Sequence, residues 1–191
     1  GCMSQIKLKH SGGNGVIIAA PSSNPSADRT ITLPDLTTNG TLVTDVSPAS
    51  GTVIQSKCTA SNNEAQTTTS SDTYTDVTGI DLTFTPLFAD STIILITTYH
   101  GSTGGGNINF SVRLTFNHSG ISQTAVDSNQ DGFSMATGNT AIDAFNCMSY
   151  THTPNTTNEI TYRYQFRSVS AQGTVAFNKK VSKIIAYEVA A

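Results

Sequence analysis

Tryptophan is absent from these 191 residues, cysteine occurs three times, and charged side chains make up 12% of the chain, about half the usual share. Each shortage removes a class of protein. Without Trp, and with most Tyr and Phe inside alternating apolar stretches, the chain lacks the exposed rings on which a carbohydrate-binding module stacks its ligand. The cysteines are Cys2, Cys58 and Cys147. They have no metal-ligand spacing, and three thiols cannot all pair within one chain. The fold therefore does not depend on disulfides and fits a reducing cytoplasm. Cys58 and Cys147 each fall in a strand-like run and are expected as buried free thiols. A net charge of −3 and a pI near 5.7 leave no basic face, which argues against nucleic acid as a partner. No apolar run reaches the ~18 residues of a membrane span. The first ten residues hold only scattered apolar side chains, not a signal-peptide core.

What is present is polar without being charged. Thr occurs 30 times, Ser 22 and Asn 14. Thr suits strands, and the helix-favouring Glu, Lys and Leu are scarce. Apolar runs recur often enough to bury surface that offsets the cost of ordering the chain. From residue 52 onward they read as strands: 52–59, then Ile80, Leu82 and Phe84 on one face up to Pro86, then an apolar run over 92–99 that suits a strand buried on both sides or a central one. Residues 62–71 read as a loop, and so does the Gly-rich stretch 101–106. The clearest alternation places Ile108, Phe110, Val112, Leu114 and Phe116 on one side. Residues 142–152, 160–167 and 181–189 complete the series, with a turn at 154–158. About eight regularly spaced strands and no helix predict an all-β fold, an antiparallel β-sandwich of jelly-roll type.

The first 51 residues differ. Short apolar runs around Ile6, Leu8, Val16, Ile17, Ile18, Ile31 and Leu33 alternate with turn residues and with prolines 21, 25 and 34. None is long enough to bury itself, and none has an evident partner inside its own segment. The expected partner is another copy of the same arm. A hinge containing Pro48 and Gly51 separates this N-terminal extended β arm, residues 1–51, from the sandwich domain, residues 52–191.

Lys-Leu-Lys-His-Ser-Gly-Gly-Asn-Gly over 7–15, Ala-Asp-Arg-Thr-Ile-Thr-Leu-Pro over 27–34 and Asn-Gly-Thr-Leu-Val-Thr over 39–44 resemble short segments in tail-fibre and other surface proteins of tailed bacteriophages, especially marine and cyanobacterial ones. The resemblance covers residues 5–45. Later, a strand ending in Thr-Phe-Thr-Pro and a terminal Lys-Ile-Ile-Ala-Tyr-Glu are similar in style to the small C-terminal domains of phage fibre proteins. The resemblance implies a trimeric particle protein, assembled in the host cytoplasm.

No catalytic constellation is legible. There is no Gly-x-Ser-x-Gly elbow and no His-Glu-x-x-His pair. The glycines of 101–106 are not followed by Lys and Ser or Thr, so they do not cradle phosphate. The histidines, His10, His100, His118 and His152, are isolated and read as surface or loop residues. No cofactor is expected, with one candidate exception. Asp127, Asn129 and Asp131 stand at the first, third and fifth positions of a calcium loop, with Gly132 at the sixth. Gly138 stands where the bidentate Glu belongs, and a turn rich in Asn, Asp and Gly would read the same way.

These readings favour a non-enzymatic virion structural protein, a homotrimer held by its arms, which also attach it to other virion proteins. The leading form is a short tail-fibre or receptor-binding protein whose loops, 101–106 or 128–139, meet a host surface glycan. The alternative is a capsid decoration or cement protein on the head. A free carbohydrate-binding module is the contrasting class. No nucleic-acid or membrane partner is expected.

Overall fold

A computed structural model describes residues 5–9, 11–19, 48–59, 66–104, 108–127, 133–136 and 143–191. The chain divides into two compact units, Gly1–Leu42 and Val43–Ala191. Every regular element described is a strand.

In the first unit, β1 (Gln5–Lys9) and β2 (Gly15–Ala19) pair antiparallel, with Ile6 opposite Ile18 and Leu8 opposite Val16. The expectation that these runs lack a partner within their own segment is thereby corrected. The turn between them includes Gly13 at φ 100°, a left-handed backbone that glycine adopts without steric cost. It lets the two runs complete each other's ladder. Ile31 and Leu33 lie outside the described residues.

The second unit is a sandwich of two antiparallel sheets. Its strands are β3 (Val53–Cys58), β4 (Thr67–Thr69), β5 (Thr75–Asp76), β6 (Leu82–Phe84), β7 (Thr92–Thr103), β8 (Asn109–His118), β9 (Ile121–Ala125), β10 (Phe133–Ala136), β11 (Asp143–His152), β12 (Ile160–Val169) and β13 (Val175–Val189). In sheet I, β9 and β10 share one flank of β8, β12 lies on its other side, and β5 and β6 share the far flank of β12. In sheet II, β11, β7 and β13 are followed by β3 and β4, which share the outer flank of β13. Counting the interrupted pairs as single positions gives four positions per sheet. The chain changes sheet at every connection except the one from β8 to β9 and β10. This is jelly-roll connectivity, as the strand spacing predicts.

Alternation explains the core. Ile93, Leu95 and Tyr99 of β7 and Ile184 and Ala186 of β13 point inward from sheet II. Phe110, Val112 and Leu114 of β8 and Tyr162, Tyr164 and Phe166 of β12 answer them from sheet I. Aromatic rings fill the centre. The Tyr164 and Phe177 centroids are 5.1 Å apart, and Tyr99 stacks on Phe177 at 6.0 Å. The Tyr164 hydroxyl donates across the sandwich to the carbonyls of Thr98 and Lys183 at 3.0 and 2.9 Å.

Several local expectations are corrected. The presumed loop 62–71 contains β4, which pairs with Val175–Phe177 of β13. The presumed loop 101–106 begins as strand, because β7 runs on through Thr103. Gly101 there is a packing residue: a Cβ would lie 2.5 Å from the Phe110 ring. Cys58 and Cys147 are exposed, not buried, since both occupy outward positions in their strands. His152 is buried, not on the surface, because it sits at an inward position at the end of β11.

Candidate functional site

The two outer faces of the sandwich have opposite characters. Sheet I carries three of the chain's four arginines on its outside: Arg113 from β8, and Arg163 and Arg167 from β12. Arg163 Nη1 donates to Asp76 at 3.0 Å and its Nε to Asp81 at 2.9 Å, and its Nη2 also pairs with Asp81. Gln165 and Gln123 both donate to Asp76 Oδ1, at 2.7 and 3.0 Å. Burial works to raise the Asp76 pKa, but these bonds from Gln165, Arg163 and Gln123 outweigh it and hold the carboxyl below its ordinary value. The Arg113 and Arg167 guanidiniums lie 4.0 and 4.7 Å from the Tyr74 ring centroid. The Tyr74 hydroxyl shares a 2.8 Å hydrogen bond with Ser111. This face is a network of paired polar groups suited to water.

Sheet II presents the reverse. Register places Ser149, Ile96, Ile185 and Cys58 in one row across its four strand positions, and Thr151, Ile94, Tyr187 and Ser56 in the next. Phe145 and Cys147 extend the surface along β11, opposite His100 and Thr98. Phe145 is 58% exposed and Val53, at the opposite margin, 55%. The charged side chains in these rows are Lys183, opposite Thr98, and Asp143, whose Oδ1 lies 2.8 Å from His100 Nε2. The same strands point Ile93, Leu95, Ile184 and Ala186 into the core, so β7 and β13 are apolar on both sides. β11 also ends the sheet: its second edge has no strand beside it among the described residues.

The hairpin shows a second set of exposed apolar side chains. Leu8 and Ile18, on one face by alternation, are 61% and 60% exposed, and Ile17, on the other, is 47% exposed.

Two buried polar sites secure the sandwich. Glu188 points inward from β13 and is fully buried. It accepts from the backbone N–H groups of Leu87 and Phe88, from Ser91 Oγ and from Gln55 Nε2. Burial alone would raise its pKa; the bonds from Ser91, Gln55 and the two amides outweigh burial and lower it. His152 Nδ1 shares a 2.9 Å hydrogen bond with the Tyr162 hydroxyl, and its ring centroid is 4.2 Å from that of Phe116. Burial, with a smaller contribution from His118, pushes its pKa down to about 4.

Of the calcium candidates, Asp127 is exposed in the bend after β9, while Asn129 and Asp131 lie outside the described residues. Among the described residues no three His, Cys, Asp or Glu side chains gather in a way that could hold a metal ion. Of the arm residues, Leu8, Ile17 and Ile18 are exposed within the hairpin. Sequence reasoning missed the outer face of sheet II. Part of the signal was read, since the apolar run over 92–99 suits a strand buried on both sides or a central one; how the other strands extend that face was not.

No protein-family model matches this chain, and no curated protein does. Among solved structures, chains from infectious bursal disease virus of the Gx and Gt strains share 13% identity with it, with TM-scores of 0.38 and 0.33. They cover 93% and 94% of this chain. The similarity is weak, and this chain spans about half the length of each, 47% and 48%.

Proposed function

We propose that this chain is a non-enzymatic structural protein of a virus particle: a short, homotrimeric fibre or receptor-binding component displayed on the surface, self-associating through its N-terminal β segment. The observation that carries the reading is the hairpin of β1 and β2. Two five-residue strands are at best marginally stable alone in water, and this pair leaves Leu8, Ile17 and Ile18 exposed. Association of copies would cover them, and a closed symmetric assembly is the ordinary solution. The jelly roll supports the reading as an architecture used in virus coats. The phage-like wording of residues 5–45 supports the bacteriophage assignment and the tail-fibre form.

The test is native mass by light scattering on the full-length protein, followed by gold-labelled antibody on particles. A stable species of three chains, with label on the tail, is the expected result. Label on the head shell would move the protein to the decoration class. A monomer at all accessible concentrations would refute self-assembly.

A further inference from the structure

We infer that the outer face of sheet II, together with the edge of β11 that no described strand pairs with, is where the jelly rolls of neighbouring copies meet, so that the assembly is held by its sandwich domains as well as by its arms. The inference deepens the self-assembly reading above and rests on it.

Three observations converge on a second copy of this chain as the occupant. First, the asymmetry of the two outer faces is chemical. Sheet I pairs its charges over a polar surface, whereas sheet II sets Ile94, Ile96, Ile185, Tyr187 and Phe145 outward. Contiguous apolar surface of this kind marks an interaction site. Second, both thiols of the second unit, Cys58 and Cys147, open onto this same face. In free solution that face would carry two oxidisable groups; beneath a neighbour they are shielded. Third, the charge suits a homotypic contact. The face carries Lys183 and Asp143, one of each sign, so a neighbouring copy meets no excess of either charge on it.

The dimensions agree. Eight residues of β7 at ~3.3 Å each, across four strands ~4.8 Å apart, give a face of about 500 Å². A neighbour covering it removes about 1,000 Å² in total from the two partners, the lower bound for a specific interface. The β11 edge and the arms add to it.

The test is thiol accessibility in the native full-length protein carrying Cys2→Ser, which leaves Cys58 and Cys147 to report. N-ethylmaleimide should modify both at least about tenfold more slowly in the assembled protein than in the urea-unfolded chain. Phe145→Lys puts a charge on the face without touching the core, and it should restore rapid modification in a protein with unchanged far-UV circular dichroism. A stable trimer whose two thiols react as fast as in urea would overturn the face contact and leave the arm-mediated trimer standing. A monomer with both thiols reactive would overturn both readings.

Discussion

His152 is the residue whose surroundings differ most from its local sequence. Thr151 and Thr153 beside it are exposed, yet the imidazole packs on Phe116 and bonds Tyr162. Its folded pKa of about 4 lies below the 6.5 of an unburied histidine. Between those values the unfolded chain takes up a proton that the folded chain refuses. Stability from this group is therefore complete above pH 6.5 and falls as pH drops toward 4. Over the upper two units, from pH 6.5 to about 4.5, the expected loss is roughly 2–3 kcal/mol. Urea melts of the wild type and His152→Phe across that range should differ by this acid-dependent component; parallel pH profiles would rule it out. The burial of His152 was not legible because its partners stand on β8 and β12, beyond any local window.

Among elements, β13 does the most. It is the one strand that pairs with both long and short neighbours of sheet II, and through Glu188 it holds the connection between β6 and β7. Glu188→Gln replaces an acceptor of several bonds by an amide whose N–H₂ faces other donors. The expected cost is about 2–4 kcal/mol in a denaturant melt, whereas Glu159→Gln, exposed beyond β11, should stay within about 0.5 kcal/mol. A Glu188→Gln loss as small as the Glu159→Gln loss would mean that the cage contributes nothing net. Because the folded pKa of Glu188 is depressed, its contribution is present above the unfolded value of 4.5 and disappears as pH falls through the folded one. The strands that were legible, β3, β6, β7, β8, β11, β12 and the end of β13, are those whose own alternation or apolar run shows in the sequence. β4, β5, β9 and β10 are five residues long or fewer, too brief to show a period. They are strands because β13, β12 and β8 offer them a ladder, which is tertiary information. β11 was legible as a strand but not in its facing, since Phe145 and Cys147 on one side and Met148 and Tyr150 on the other are all apolar enough to line a core.

For the whole molecule, a sandwich with one face of paired polar groups and one apolar face predicts how assembly responds to solvent. Raising salt from about 0.1 to 1 M shortens the screening length from about 10 to 3 Å. Contacts made by an almost uncharged face should hold through that change and tighten in sulfate, which strengthens apolar burial. Analytical ultracentrifugation in sodium chloride and ammonium sulfate tests this; dissociation by sodium chloride alone would assign the contacts to ion pairs instead. The two-sheet architecture was legible from strand spacing. The inequality of its outer faces was not, because it emerges only once β3, β7, β11 and β13 lie side by side.

That arrangement also sets an order of events in time. The central place of sheet II belongs to β13, yet β13 is synthesised after every strand it joins: Gln55 and Glu188, which meet across it, are 133 residues apart in sequence. While the ribosome is still translating, β7 and β3 have no common neighbour and the apolar face does not exist as a surface. Folding must wait for the last of these strands, as distant pairings make slow steps, and a chain cut short before residue 175 cannot present the face. Until then β7 lacks the neighbour that completes its ladder, and the nascent chain carries an unpaired apolar strand of the kind that aggregates.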